Sequence, residues 1–208
     1  MSGHEHKDRD SHRHGDRHGA RQPERFNPAR AALLDDPARA EYLPPEGLIE
    51  LLDAPAHSRV VDFGAGTGTI AIELARRRPD LEVIALDEQP QMLELLEAKP
   101  AARELHNLKP VLSGEMALAD SADRVLAINV LHELGDEALH ELASMLKPGG
   151  FALIVDWNSE VDRPVGPPRD HVYGPAEARR RLEAAGLRVS ERPPLRYHYI
   201  FVAARSVK

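Results

Sequence analysis

The stretch Val60-Val61-Asp62-Phe63-Gly64-Ala65-Gly66-Thr67-Gly68-Thr69-Ile70 decides the fold. It opens with a short run, apolar apart from Asp62, that is typical of a buried strand, and a helical pattern starts at Ile70. The glycines between them let the chain turn sharply without Cβ clashes and let backbone N–H groups of the helix approach a bound polar group. The stretch therefore predicts a strand, a ligand-binding turn and a helix.

Strand and helix patterns alternate along the rest of the chain. The predicted strands after the first are 81–86, 110–112, 123–130, 151–155 and 197–204. The first predicted helix follows Leu43-Pro44-Pro45 and has Leu48, Ile49, Leu51 and Leu52 on one face. The later predicted helices are 70–78, 90–99 with the apolar residues Met92, Leu93, Leu95 and Leu96, 137–146 and 175–185. The run Lys147-Pro148-Gly149-Gly150 is predicted to end the helix 137–146 with a breaker and a turn. Alternation without repeats predicts a doubly wound α/β sandwich.

Composition limits the classes of chemistry. The chain has 208 residues, 42% of them hydrophobic, which suits one sizeable core. Cysteine is absent, which excludes disulfides, thiolate nucleophiles and cysteine-based zinc sites. The formal net charge of -7 disfavours a broad surface for nucleic acid. A small-molecule substrate is favoured.

The first 25 residues differ from the rest. They contain almost no aliphatic side chains, so we expect residues 1–25 to be a disordered tail and residues 26–208 to be the folded domain. The tail carries histidines that could hold zinc or nickel, or could simply be solvated. These are His4, His6, His12, His14 and His18. Neither a signal peptide nor a membrane-spanning segment is found, so we expect a cytoplasmic protein that does not bind membranes.

Asp87 provides a partner for the glycine turn. It closes the second predicted strand, where a carboxylate can accept hydrogen bonds from ribose hydroxyls, although a turn or N-cap role before Pro90 remains open. A dinucleotide fingerprint would need a third glycine where Thr69 stands. An adenosyl ligand without a pyrophosphate is therefore favoured.

Three motifs together resemble the class I S-adenosylmethionine-dependent methyltransferases. They are Asp62-Phe63-Gly64-Ala65-Gly66-Thr67-Gly68, Asp87 with Met92, and Leu146-Lys147-Pro148-Gly149-Gly150. The likeness covers residues 26–205 and is closest to the small-molecule branch of ubiquinone and menaquinone biosynthesis methyltransferases. It implies a Rossmann-like three-layer sandwich with a mostly parallel seven-stranded sheet whose last strand is antiparallel.

The resemblance also implies a set of residues that bind S-adenosylmethionine. The set comprises Asp62, Gly64, Ala65, Gly66, Gly68, Asp87, Glu88, Met92, Gly114, Glu115 and Asn129. Asp62 and Asn129 would lie at the methionine end, and Asp87 would hold the ribose. Because the link from Ser113 to Asp123 is short for the family, Met116 is an alternative to Glu115 at the adenine.

The acceptor side is described by fewer residues. His132, just past the fourth strand, is the predicted general base, and its alternative role is a backbone hydrogen bond. Trp157 could wall the acceptor site or belong to the edge of the core. Arg169 and His171, on a lip after Gly166-Pro167-Pro168, are further substrate-binding predictions.

Methyl transfer to a small-molecule acceptor by in-line displacement, with S-adenosylhomocysteine as the product, is the leading functional hypothesis. The alternative is a non-catalytic or regulatory adenosyl-binding protein with a metal-binding tail. A nicotinamide-dependent reductase is disfavoured by Thr69. Asn129-Val130-Leu131-His132 lacks the Asn-Pro-Pro-aromatic tetrad of the methyltransferases that act on DNA bases, so DNA is not an expected partner. The oligomeric state is not predicted.

Overall fold

A computed structural model describes residues 25–205 of the chain. These residues form one seven-stranded sheet with helices on both faces. The strands are β1 Arg59–Phe63, β2 Glu82–Asp87, β3 Leu108–Leu112, β4 Ala122–Ile128, β5 Leu146–Trp157, β6 Leu187–Arg192 and β7 His198–Arg205. The helices are α1 Pro45–Leu52, α2 Thr69–Arg77, α3 Pro90–Ala98, α4 Pro100–Arg103, α5 Asp136–Met145 and α6 Pro175–Ala184.

The sheet has the strand order β3-β2-β1-β4-β5-β7-β6. The first five strands pair in parallel, and β7 runs antiparallel to both of its neighbours. The predicted mostly parallel, seven-stranded sheet with an antiparallel last strand is confirmed. The order reverses between β1 and β4, and ligands of open α/β sheets bind at such a reversal.

Alternation along the strands builds the two sides of the core. In β1, Val60 packs with α1 and α2 on one face, and Val61 packs with α5 and α6 on the other. Successive side chains of a strand point to opposite faces, so a strand buried on both faces is apolar at nearly every position. The buried β5 segment Phe151-Ala152-Leu153-Ile154-Val155 has this composition.

Several elements differ from the sequence prediction. Strand β6 was not predicted, because it is a largely exposed edge strand with one fully buried side chain, Leu187. The run Lys147-Pro148-Gly149-Gly150 follows the end of α5 at Met145 and contains the predicted left-handed residue, Gly149 with φ +81°, but β5 already begins before it, since Leu146 pairs with Ala122. In α3, Met92, Leu93 and Leu96 are buried, whereas Leu95 faces solvent.

An N-terminal segment, residues 25–43, crosses the carboxyl ends of the strands. It contains two 3₁₀ helices, Pro28–Asp35 and Pro37–Glu41, whose first turns are capped by Asn27 and Asp36. Leu43 is buried against the core and fixes the end of the segment. The tail predicted over 1–25 lies outside the described residues except for Arg25, whose guanidinium pairs with Glu88 at 2.7 Å.

None of the helices within residues 25–205 combines the length and the apolar composition that crossing a membrane requires.

Candidate functional site

A cavity of about 630 Å³ lies at the carboxyl ends of β1, β2 and β4, beneath the N-terminal segment. Eight of the predicted cofactor residues line it: Asp62, Gly64, Ala65, Gly66, Asp87, Glu88, Met92 and Asn129. Acidic side chains predominate over basic ones in its wall, and Glu133, Glu137 and Glu141 add to them. We call this space the acidic cavity.

Three predicted cofactor residues do not line the acidic cavity. Gly68 has φ +74° at the start of α2, where any Cβ would overlap the side chain of Leu96, so its glycine is required by packing. Gly114 and Glu115 follow β3 beyond the cavity wall, where Ser113 is the lining residue. Met116, the alternative at the adenine, packs against the core cluster below α5.

The turn after β1 is held open by the absence of side chains. Gly64 has φ +71°, and a Cβ there would lie 2.5 Å from Val130 Cγ2. Gly66 has φ +56°, and its amide donates a hydrogen bond of 2.7 Å to Asp87 Oδ2. The glycines therefore allow the β1 turn to approach both the β4 end and the β2 carboxylate.

Asp62 and Asp87 place two carboxyl groups on the floor of the cavity. Burial, together with the charge of Asp87, raises the pKa of Asp62 to about 7. Burial also raises the pKa of Asp87, whose Oδ1 and Oδ2 accept hydrogen bonds from the amides of Gln89 and Gly66. The backbone of Glu88 is a third donor, so the carboxylate keeps one acceptor position for a ligand. A cationic ligand with hydroxyl donors would satisfy both carboxylates.

Asn129 contributes a polar atom without a partner. It follows β4 with φ +56°, and its amide donates to Val155 O at 2.8 Å. Its buried Oδ1 accepts no hydrogen bond from any described residue. Buried acceptors are nearly always paired, so this oxygen points to a donor supplied by a ligand.

The N-terminal segment is tied down at both ends of the cavity. At one end, the amide of Phe26 donates to Glu133 Oε2 at 2.8 Å, and Gln89 Nε2 donates to Phe26 O at 3.1 Å. At the other end, Asp35 Oδ1 accepts hydrogen bonds from Thr67, Thr69 and Lys99. The segment therefore forms a roof over the glycine turn, which the sequence did not reveal because these partners lie far apart in the chain.

His132 is held by Asp156. The Nδ1 of His132 lies 2.8 Å from Asp156 Oδ1, and the backbone amide of His132 donates to Asp156 Oδ2 at 3.0 Å. Asp156 is fully buried at the end of β5 and also accepts from the amide of Trp157 at 2.6 Å. A carboxylate can only accept, so Nδ1 of His132 carries a proton and donates it to Asp156.

Glu133 stands between His132 and the acidic cavity. His132 itself does not line the cavity, whereas Glu133 does, and its Oε1 lies 3.6 Å from His132 Nε2. Burial raises the pKa of Glu133 to about 7. Glu133 and Asp156 were not predicted from the sequence. Asp156 could have been, because it ends an apolar strand, as Asp62 and Asp87 do.

The other predicted substrate residues lie apart from the cavity. Trp157 is buried at the end of β5 against the rings of Tyr42 and His198. Arg169 is exposed and pairs with Asp162 at 2.6 Å, and His171 ends the same short 3₁₀ helix. The structure does not bring these three residues to the acidic cavity.

No cluster of three metal-ligating side chains exists within residues 25–205. The predicted metal ligands, His4, His6, His12, His14 and His18, lie outside the described residues.

The chain is similar in sequence and in structure to known methyltransferases. Residues 60–150, from β1 to the start of β5, match the family model described as a methyltransferase domain. The crystal structure of a SAM dependent methyltransferase from Aquifex aeolicus superposes with a TM-score of 0.79 and 29% identity, covering 86% of this chain and 99% of that chain.

Two sequence relatives cover less. An uncharacterized methyltransferase of Mycobacterium tuberculosis is 38% identical over 123 residues, 58% of this chain and 47% of the relative. A demethylmenaquinone methyltransferase of Thermus thermophilus is 32% identical over 114 residues, 52% of this chain and 51% of the relative. The chain thus spans about half the length of these two relatives.

Proposed function

We propose, from the premise that the chain belongs to the class I S-adenosylmethionine-dependent methyltransferases, that it transfers a methyl group from this cofactor to a small-molecule acceptor. The observation that carries the proposal is the acidic cavity, with Asp62, Asp87 and the unpaired Oδ1 of Asn129 at the ends of three adjacent strands. S-adenosylmethionine is a cation with an ammonium group and ribose hydroxyls, so its chemistry complements these groups.

The residues of the cavity fit distinct parts of the cofactor. Asp87 would accept from the ribose with the acceptor position that its three backbone donors leave open. Asp62 and Asn129 would accept from the ammonium group and offset positive charge. Met92 and Glu88 line the side next to Asp87, where the adenosine would lie. The bound cofactor supplies an electrophilic methyl group on a sulfonium sulfur.

His132 and Glu133 are the proposed proton acceptors. Asp156 holds the Nδ1 side of His132, and the Nε2 of the same ring lies on the side of Glu133, 3.6 Å from Glu133 Oε1. Glu133 has a pKa of about 7, and its carboxyl group lies in the wall of the cavity. It can therefore take a proton from the acceptor near neutral pH. Removing a proton from a hydroxyl or an acidic carbon of the acceptor makes that atom nucleophilic.

The roof formed by the N-terminal segment supports a dry reaction. Leu34 lies over the glycine turn, since a Cβ on Gly66 would come within 3.1 Å of Leu34 Cδ1. Methyl transfer by displacement mainly requires the acceptor to be aligned and shielded from water.

The test combines binding with turnover. Calorimetry should detect S-adenosylmethionine binding at one site per chain. A cell extract is then divided by ultrafiltration, and formation of S-adenosylhomocysteine is followed with each fraction. We expect product with the small-molecule filtrate and none above background with the macromolecular retentate.

Each other outcome has a defined meaning. Product only with the retentate contradicts a small-molecule acceptor. Binding without product in either fraction favours the regulatory adenosyl-binding protein. An absence of binding rejects the cofactor assignment itself.

A further inference from the structure

A carboxylate of the roof lies at the first turn of α2. The Oδ1 of Asp35 accepts hydrogen bonds from the hydroxyls of Thr67 at 2.7 Å and Thr69 at 2.8 Å, and from Lys99 Nζ at 2.6 Å. Lys99 also donates to Thr67 O at 2.6 Å, so the donors hold one another in place. Thr67 and Thr69 line the acidic cavity, which places the Asp35 carboxylate at the edge of that cavity.

Asp35 is an anion in this position. Burial alone would raise its pKa, but the hydrogen bonds from Lys99, Thr67 and Thr69 outweigh burial and lower the pKa below its ordinary value. Two hydroxyls and an ammonium group at the N-terminus of a helix are the kind of donors that bind a phosphate group in nucleotide-binding α/β proteins. In this chain these donors already hold an anion that the roof supplies.

The backbone amides of the glycine turn are also engaged inside the protein. A turn that cradles a phosphate group directs its amides at the ligand. Here the amides donate to β2 or within the turn. These bonds run from Gly64 and Ala65 to Leu86 O, from Gly66 to Asp87 Oδ2 and from Gly68 to Ala65 O. In the first turn of α2, the amide of Ala71 donates to the carboxyl group of Asp62. These donors are therefore not directed at a phosphate group.

Thr69 connects this arrangement to the glycine motif. It stands where a dinucleotide fingerprint has its third glycine. Its hydroxyl is one of the three donors to Asp35. The residue that departs from the fingerprint thus helps to hold a carboxylate where a dinucleotide would place its phosphates.

We propose that Asp35 is a specificity-determining residue, whose carboxylate fills the anion position at the N-terminus of α2 and so excludes adenosine ligands that carry phosphate groups. This inference rests on the proposed function, because it concerns which adenosyl ligand the acidic cavity accepts. A phosphorylated ligand has either to displace Asp35 from its three donors or to lie against its negative charge, and both cost free energy. S-adenosylmethionine has no phosphate group and meets neither cost.

The experiment measures by calorimetry, in metal-free buffer, how the full chain binds adenosine and ADP, which share the adenosyl group and differ in charge. We expect ADP to bind the parent chain about tenfold or more weakly than adenosine, because like charges are brought together. Asp35→Asn keeps an oxygen that can accept from Thr67 and Thr69 and removes the charge. It should strengthen ADP binding about fivefold or more and leave the affinity for adenosine unchanged.

Matched variants separate the charge of Asp35 from its structural role. Asp36→Asn changes the net charge of the chain by the same amount at the neighbouring residue, which caps the second 3₁₀ helix through the amide of Ala38 at 2.9 Å. It should leave the difference between ADP and adenosine intact. Combining Asp35→Asn with Lys99→Met removes the ammonium group that attracts phosphate, so most of the gain in ADP binding should be lost.

Several results would overturn the proposal. In the parent chain, these are equal binding of ADP and adenosine, or no binding of adenosine. In the variants, they are an unchanged difference in Asp35→Asn, an equal change in Asp36→Asn, or a change in Asp35→Asn that is the same for both ligands, as a purely structural tie would give.

Titration of S-adenosylhomocysteine into the same samples distinguishes the two levels of the account. If it does not bind the parent chain, the proposed function fails. If it binds and the difference between ADP and adenosine does not depend on Asp35, only the inference about Asp35 fails.

Discussion

Two polar regions at the carboxyl edge of the sheet bury titratable groups, acidic in one and basic in the other. Over β1, β2 and β4, the acidic cavity buries Asp62 and Asp87 with raised pKa values. Beside β5 and β7, the aromatic cluster of Tyr42, Trp157, Tyr197 and His198 holds His198 with a pKa that burial lowers to about 4. In both regions burial favours the neutral form of the titrating group, but only the acidic cavity has space for a ligand beside its carboxyl groups. The contrast indicates a site for a cationic ligand over β1, β2 and β4 next to a packed region beside β5 and β7. His132 and Asp156 lie at the boundary, since Glu133 lines the cavity and Trp157 belongs to the ring cluster.

The largest expected effect is on the rate of methyl transfer when His132, at the boundary of the two regions, is replaced. His132→Asn should lower the rate of S-adenosylhomocysteine formation by about 10²- to 10⁴-fold, the usual contribution of a general base. The dissociation constant of S-adenosylhomocysteine should stay unchanged, because His132 does not line the acidic cavity. Steady-state rates and calorimetry measure the two quantities. His106→Asn, which removes an exposed histidine, is the control, and an equal loss there would reject the assignment.

The pH dependence of the stability of an Asp62 variant tests the burial of carboxyl groups in the acidic cavity. Its pKa in the folded chain, about 7, exceeds the ordinary value of 3.8. Its neutral form therefore stabilises the fold fully below about pH 4, and this contribution is lost as the pH rises through 7. Asp62→Asn should consequently be more stable than the parent at pH 8, by up to about 4 kcal/mol at about 1.4 kcal/mol per pKa unit, with little difference at pH 4.

Urea unfolding at several pH values measures this difference for Asp62→Asn. A difference that is independent of pH would show that Asp62 is charged in the folded chain throughout this range. The variant should also bind S-adenosylmethionine more weakly, since it has lost a carboxylate.

A smaller effect is expected at the roof. Lys99 Nζ donates to Asp35 Oδ1 and to Thr67 O, both at 2.6 Å, and so joins the N-terminal segment to the glycine turn. Because the pair is partly exposed, Lys99→Met should cost only about 0.5 to 1 kcal/mol of stability. It should also raise the dissociation rate of S-adenosylhomocysteine a few fold in stopped-flow measurements. Lys109→Met, an exposed lysine on β3, should alter neither quantity.

The fold followed from local patterns, whereas the acceptor side did not. Strand β1, the glycine turn and Asp87 are close in sequence, and their spacing and hydrophobicity indicated both the parallel sheet and the cavity at its edge. Strand β6 escaped because an edge strand needs little apolar surface. The early start of β5 escaped because it depends on the pairing of Leu146 with Ala122 of β4, not on the residues between Lys147 and Gly150.

The residues of the roof and the aromatic cluster depend on contacts between distant segments. Tyr42 reaches Trp157 and His198 across more than half of the chain, and Phe26 reaches Glu133. No periodicity in the sequence predicts contacts between residues so far apart. The sequence around a polar or aromatic side chain also does not indicate whether that side chain is solvated or buried. Trp157 was expected near the acceptor or at the core edge, and the structure gives it a place in a ring cluster at the edge of the sheet.

The most direct test of the central claim, that the acidic cavity binds an adenosyl cofactor, is calorimetric titration of S-adenosylmethionine into the parent chain, Asp87→Asn and the exposed control Asp170→Asn. The account predicts one site, weakened about 5- to 150-fold in Asp87→Asn by loss of about 1 to 3 kcal/mol of charged hydrogen bonding, and unchanged in the control. Equal affinity in Asp87→Asn and the parent chain, or tighter binding of NADH than of S-adenosylmethionine, would contradict it.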